Sequence, residues 1–136
     1  MGVIEQITAA EAAGASIPPW NDVTFTIGSE SANAITVKVE ILAYSTAAPL
    51  PVVFDAYLSE ASDGEGQTST ALSGGWADGG DGNLHFQFST SKSARWQTND
   101  SGSCQITMTH SGARSVYLCI LAPTGLVIVS DVIAFT

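Results

Sequence analysis

Apolar and polar residues alternate with a period of two through most of the chain from Val23 onward. The alternation is clearest at 35–41, where Ile35, Val37, Val39 and Ile41 are separated by Thr36, Lys38 and Glu40. A period of two is typical of a β-strand with one buried face and one solvated face. The pattern predicts strands over 23–27, 35–42, 52–58, 84–88 and 95–98, and no long segment has a helical period.

Two more strands are predicted on either side of a polar turn and a glycine turn near the carboxyl end. The turn Asn99-Asp100-Ser101-Gly102 precedes one strand, and Ser111-Gly112 separates it from the strand at 116–120. We also expect a short edge strand at 68–72 and a final strand at 126–135 with an irregularity at Ser130-Asp131. About seven to nine short strands with such turns predict an all-β fold, an immunoglobulin-like antiparallel β-sandwich.

Residues 1–20 differ in composition from the rest and are predicted to form an N-terminal arm ahead of a sandwich at 21–136. Ala, Gly and Ser dominate the arm, and Pro18-Pro19 enforces extended chain at its end. A frayed terminus and a partner-binding arm are the two interpretations left open. Because Glu5 and Glu11 interrupt its apolar residues and no positively charged start precedes them, we expect neither a secretory signal nor a membrane-spanning helix.

The composition excludes one class of partner and favours another. The 136-residue chain fits one domain, carries a net charge of −9 and has only 12% charged residues. Binding to nucleic acid requires a basic surface that neutralises phosphates, which four Lys and Arg residues do not supply. The polar surface must consist mainly of Ser, Thr, Gly, Asn and Gln, which suits broad contacts with other proteins.

No set of residues indicates catalysis. His85 and His110 lie far apart in sequence, and the chain contains no Gly-x-Ser-x-Gly motif. The acidic glycine-rich segments 63–66 and 78–83 contain carboxylates that could surround Ca²⁺, although Asp-Gly pairs are also ordinary turn residues. We therefore predict no enzyme activity, no metal site and no cofactor, with turns as the role of both segments.

The two cysteines and three tryptophans allow alternatives. Cys104 and Cys119 fall on strands expected to neighbour or face each other, so a disulfide is geometrically allowed, but without a secretion signal we favour buried free thiols. Trp96 is expected in the core. Trp76, between Gly75 and Ala77, either folds back over the end of a sheet or forms an anchor for a partner.

An ordered set of strand and turn motifs carries a resemblance over residues 20–136. The motifs are VVFDAYLS at 52–59, Asp63-Gly64, TSTALS at 68–73, the segments 80–84 and 97–102, Tyr117-Leu118, and Pro123-x-Gly125. With these motifs the chain resembles small immunoglobulin-like proteins encoded in the head modules of tailed bacteriophages, which act as capsid decoration or cement proteins or as bases of head fibres.

This resemblance implies a non-enzymatic protein of the virion, located on the exterior of the capsid. Its partner would be the major capsid protein, and it would stabilise the assembled shell by binding the shell and not the free subunits. We expect no nucleic-acid or membrane partner, but expect a homo-oligomer, a trimer at threefold positions. The expected partner-binding residues are Ile4, Ile7, Ile17, Trp20 and Trp76.

Two other interpretations remain open. The chain could be an adhesion or carbohydrate-binding module displayed on a virion or a cell, with Trp76 and the acidic glycine-rich segments as a sugar platform. A component of the phage tail or neck is the other alternative.

Overall fold

The computed structural model describes residues 20–43, 46–47 and 51–136, all of it as strands, turns and irregular chain. The predicted arm lies outside these residues except for Trp20. Within the described ranges, no helix has the length and apolar character needed to cross a membrane. The eleven strands of the described chain are β1 (Asp22–Ile27), β2 (Ala34–Ala43), β3 (Thr46–Ala47), β4 (Val53–Ser59), β5 (Gly75–Asp78), β6 (Asn83–Ser89), β7 (Ser93–Gln97), β8 (Ser103–Thr109), β9 (Arg114–Leu121), β10 (Val127–Val129) and β11 (Ile133–Phe135).

The strands form two antiparallel sheets packed face to face. The five-stranded sheet has the order β1-β2-β8-β5, with the short β3 also paired to β2. The six-stranded sheet has the order β10-β9-β4-β7-β6, with β11 paired to the opposite end of β9. This arrangement confirms the predicted immunoglobulin-like β-sandwich.

The core consists of the inward residues of both sheets, and in β2 these are the alternate positions that the sequence pattern predicts. In β2, Val37, Val39 and Ile41 have no exposed surface, and the inward residues of β8 and β9 are buried in the same way. Burial of each side chain of this size stabilises the fold by roughly 1.5–3 kcal/mol. The largest fully buried side chains are Trp96, Ile41, Leu58, Ile106, Met108, Leu118, Ile120 and Ile133.

Two predicted elements differ in detail. The segment 68–72 is not a strand but an irregular stretch, and the edge position next to β8 is taken by β5, in a segment predicted to be a loop. The predicted irregularity in the last strand is confirmed, because Ser130 separates β10 from β11. There the Ser130 hydroxyl accepts a hydrogen bond from the Leu118 amide at 3.0 Å. Strands β3 and β5 and the division of the last strand into β10 and β11 bring the number of strands in the described chain to eleven.

Strand β6 departs most from the sequence pattern. Leu84, Phe86 and Phe88 alternate and would all face the core in a regular strand, but the pairing with β7 shifts register between Leu84 and Phe86 and again between Gln87 and Ser89. Leu84 packs against the core, whereas Phe86 and Phe88 are 50% and 51% exposed. These irregularities therefore turn both phenylalanines to the outer face of the six-stranded sheet.

Candidate protein-contact surface

The outer face of the six-stranded sheet carries five of the seven exposed large apolar side chains in the described part of the chain. We call it the exposed sheet face and define it by Val53, Asp55, Phe86, Phe88, Arg95, Leu121 and Val127. Their apolar members are between 39% and 51% exposed. The outward face of an antiparallel sheet that meets only solvent normally alternates to polar residues. Apolar side chains at these positions indicate a contact surface.

The strand register places these residues in a row. Val127 lies opposite Leu121, Leu121 opposite Asp55, Asp55 opposite Arg95, and Arg95 opposite Phe86. The row crosses β10, β9, β4, β7 and β6, and with neighbouring strands about 4.8 Å apart it spans about 19 Å. Val53 is adjacent to it on β4, two residues before Asp55. The row is therefore one continuous surface with apolar ends and a charged centre.

The charged centre is an ion pair between Arg95 and Asp55. The Arg95 Nε atom donates to Asp55 Oδ1 at 2.7 Å and Nη2 donates to Oδ2 at 3.1 Å, a two-point contact. These hydrogen bonds and the charge of Asp55 raise the pKa of Arg95 above its usual value. The two side chains are 41% and 31% exposed, so the pair faces solvent.

The same guanidinium is flanked by aromatic rings. Its central carbon lies 5.8 Å from the Phe86 ring centroid and 5.5 Å from the Phe88 centroid. The two rings meet edge to face at 4.7 Å. Distances of this size permit cation–π attraction. Arg95 is thus held on one side by a carboxylate and on the other by two rings, which fixes its orientation on the face.

An open depression of about 360 Å³ lies beside the ion pair. Its lining combines carboxylate and hydroxyl groups with apolar side chains: Asp55, Ala56, Tyr57, Gly66, Gln67, Phe88, Ser93 and Leu121. Buried small-molecule sites enclose most of their ligand. A depression as open as this one suits a side chain projecting from another protein.

The segment 60–67 covers the part of the same face that contains Tyr57 and Cys119. The Tyr57 hydroxyl donates to the Gly64 carbonyl, and Cys119 lies beneath Gly64 with no exposed surface. Burial raises the pKa of Tyr57 to about 12 and that of the Cys119 thiol to about 11. Cys104 belongs to the core between the sheets, so the two thiols lie on opposite sides of the six-stranded sheet. Both cysteines are free, as favoured from the sequence, and the disulfide alternative is wrong.

The charges of the exposed sheet face cancel, although the whole chain carries a net charge of −9. Asp55 and Arg95 are the charged residues among those that define it, and Arg95 is one of only four basic residues in the chain. The row itself is therefore neutral with a strong local separation of charge, and the segment 60–67 beside it adds the exposed carboxylates of Glu60, Asp63 and Glu65.

Of the sequence-predicted contact residues, the structure describes only the two tryptophans, and both are buried. Trp76 is 6% exposed, its Nε1 donates to Gln87 Oε1 at 2.9 Å, and its ring meets Trp96 edge to face at 5.4 Å. Trp76 thus adopts the alternative in which it folds back, which removes it as an exposed anchor or sugar platform. Trp20 is 8% exposed and packs in the core cluster. Ile4, Ile7 and Ile17 lie outside the described residues.

Sequence reasoning missed the exposed sheet face. The alternation in β6 predicted that Phe86 and Phe88 would be buried with Leu84, and no residue in the segment marks the bulge. Arg95 lies in the predicted strand 95–98, where nothing in the pattern marks it as a surface residue. The signal that was present is the residue type: Asp55 is charged, but the sequence did not fix the register of its strand, and Leu121 lies just beyond the predicted strand 116–120.

The acidic glycine-rich segments and the histidines have structural roles in the described chain. Asp63 Oδ1 accepts a hydrogen bond from the Glu65 amide at 3.0 Å, and Asp78 caps the start of β6 through the Leu84 amide. His110 Nδ1 accepts from the Ser73 amide at 3.0 Å. Within the ranges that the structure covers, no three His, Cys, Asp or Glu side chains are grouped so that they could hold a metal ion.

Comparisons with known proteins find no matching family model, no similar curated protein and no similar solved structure.

Proposed function

We propose that this protein is a non-enzymatic decoration protein of a tailed-phage head, which binds the major capsid protein on the outer surface of the assembled shell and stabilises it. The observation that supports a protein-binding role is the exposed sheet face. The phage assignment rests on the resemblance of residues 20–136 to small proteins of phage head modules.

The composition of the face supports protein contact over other ligands. Protein interfaces are enriched in aromatic residues and arginine and are depleted of uncompensated charge at their centre. Phe86, Phe88 and the paired Arg95 match this description. A carbohydrate platform would require exposed tryptophan or tyrosine rings, and Trp76 is buried.

Shell stabilisation follows from preferential binding. A ligand that binds the assembled shell but not its free subunits stabilises the shell by RT ln(1 + [L]/Kd), about 2.7 kcal/mol per site at a hundredfold excess over Kd. Because this stabilisation is repeated at every occupied site of the lattice, it raises the temperature at which the shell opens. In this proposal the N-terminal arm supplies the capsid contact, and the sandwich projects from the shell or bridges neighbouring copies.

The test is co-sedimentation with empty capsids of the phage that encodes the chain. We expect the full chain to sediment with capsids, with and without a chelator, and to raise their melting temperature. Deletion of residues 2–19 should abolish sedimentation while the β-sheet circular-dichroism signal remains. Retained binding of the shortened chain would overturn the role of the arm, and absence of binding by the full chain would overturn the decoration function.

A further inference from the structure

We propose that the exposed sheet face binds a second copy of this chain, so that two sandwiches pack face to face about a twofold axis. This inference does not depend on the phage assignment. It concerns a different surface from the N-terminal arm, and it identifies the occupant of the face.

The first argument is that the charges of the face are complementary to themselves. In a twofold-symmetric contact both copies use the same surface, so a residue pair that meets across the interface meets twice, with the two residues exchanged between the copies. Asp55 and Arg95 lie side by side on β4 and β7. A twofold axis passing between them places Arg95 of each copy over Asp55 of the other. Two isolated ion pairs then become a square of four alternating charges.

The second argument is that the charges within the row balance, although the whole chain carries a net charge of −9. At physiological ionic strength, charges more than about 8 Å apart are largely screened, so the charges nearest the contact decide whether two copies attract or repel each other. Asp55 and Arg95 sum to zero at the centre of the row, and the covering segment 60–67 beside the row carries the exposed carboxylates of Glu60, Asp63 and Glu65.

The third argument is the size and character of the surface. Five strands about 4.8 Å apart and three to eight residues long, at about 3.3 Å per residue, project to roughly 480 Å². This area is below the roughly 800 Å² per partner of a standard stable interface, so we expect a weak dimer that forms in the upper part of the concentration range of the test. Sheets already pack in this way inside the sandwich, about 10 Å apart. The depression beside Phe88 and Leu121 gives a facing side chain room to enter.

The test is sedimentation velocity of the purified full chain from about 1 to 200 μM, with charge-exchange variants. The wild type should form dimers. Asp55→Arg gives a face with two arginines, and Arg95→Asp gives a face with two aspartates, so each variant alone should associate at least tenfold more weakly than the wild type. Mixed one to one, the variants should form a heterodimer with an affinity within tenfold of the wild type or tighter, because only the mixture restores opposite charges across the interface.

The controls separate this contact from general effects of charge. Lys38→Asp makes the same change of charge as Arg95→Asp but lies on β2, in the five-stranded sheet, and should leave dimer formation unchanged. Phe86→Ser with Phe88→Ser should abolish it, and circular dichroism confirms that each variant is folded.

Three results would overturn the proposal. They are a wild type that remains monomeric at the highest concentration, variants that do not associate on mixing, and a trimer in place of a dimer. A monomer that still binds capsids through these residues would assign the face to a different protein and leave the decoration function intact.

Discussion

Replacement of Arg114 by methionine should destabilise the protein substantially, because this arginine holds an irregular segment to the sheet. Arg114 is the first residue of β9 and its side chain is only 10% exposed. Its guanidinium donates to the Thr70 carbonyl at 2.6 Å, to the Thr68 hydroxyl at 2.9 Å and to the Ala71 carbonyl at 3.1 Å. These three bonds bind the segment 68–72, which has no ladder of its own, to the end of the six-stranded sheet.

The size of the stability loss depends on which of the three acceptor oxygens can form hydrogen bonds with water once the guanidinium is gone. Methionine keeps most of the apolar stem but donates no hydrogen bond. Hydrogen bonds to a charged group contribute about 1.5–3 kcal/mol each. Thr70 is exposed and Ala71 half-buried, so their carbonyls recover much of this from solvent, whereas Thr68 is 3% exposed and does not. Glu60 lies 4.0 Å from Arg114 and is 56% exposed, so its ion pair adds little. We expect a loss of about 2–3 kcal/mol in the free energy of unfolding.

The assay is urea denaturation followed by fluorescence of the three buried tryptophans, at a protein concentration low enough to keep the chain monomeric. The midpoint should fall while the slope m is unchanged. In thermal unfolding, a loss of this size corresponds to about 10 °C for a domain of this length.

The matched control is Arg95→Met, which removes the same atoms from a side chain that is 41% exposed. It should cost under about 1 kcal/mol, because exposed ion pairs contribute little. Equal losses in the two variants would show that the Arg114 contacts do not stabilise the fold, and the reasoning would be refuted.

Three other predictions concern turns and thiols. Gly82→Ala should lower the free energy of unfolding by about 2 kcal/mol or more in thermal melts, because φ is +69° and a Cβ would overlap the Gln97 carbonyl oxygen; Gly112→Ala, with φ +92° but open space around it, should cost only about 1 kcal/mol in the same melts. Burial raises the pKa of Cys104 to about 12 and that of Cys119 to about 11, so between pH 9 and 11 the folded state holds protons that the unfolded state releases. The free energy of unfolding should therefore fall as pH rises through this window, by up to about 1.4 kcal/mol per pH unit for each thiol. Urea titrations at several pH values should show a smaller fall per pH unit for Cys104→Ala than for the wild type, and an equal fall would contradict this. Asn99→Ala should cost about 1–2 kcal/mol in urea midpoints, since the Asn99 side chain accepts hydrogen bonds from two amides of its turn at 2.9 and 3.0 Å.

Much of the fold could be predicted because a strand that buries one face alternates apolar and polar residues in its own sequence. The positions from Ile35 to Ile41 alternate in sequence and alternate in burial in β2. The turn at Asn99-Asp100-Ser101-Gly102 was predicted from residue type, and in the structure Gly102 has φ +76°, where glycine has no steric penalty. Each of these features depends on near neighbours in sequence.

Strand β5 could not be predicted in the same way. Three of its four residues, Gly75, Ala77 and Asp78, have little strand preference. They form a strand because they pair with the free edge of β8, where Trp76 lies opposite Met108. Trp76 is buried because that edge places it against Trp96 and Gln87, residues that follow it by 20 and 11 positions. Local sequence specifies neither contact.

The sequence by itself determined an all-β sandwich, because strand period and turn chemistry act over a few residues. Only the tertiary structure decided where the exposed surface lies. The bulges in β6 turn Phe86 and Phe88 outward beside Arg95, and the pairing of β4 with β7 brings Asp55 to the same guanidinium from 40 residues away. A shift of one residue in strand pairing reverses which side chains meet solvent, and that shift is set by the neighbouring strand and not by the strand's own sequence.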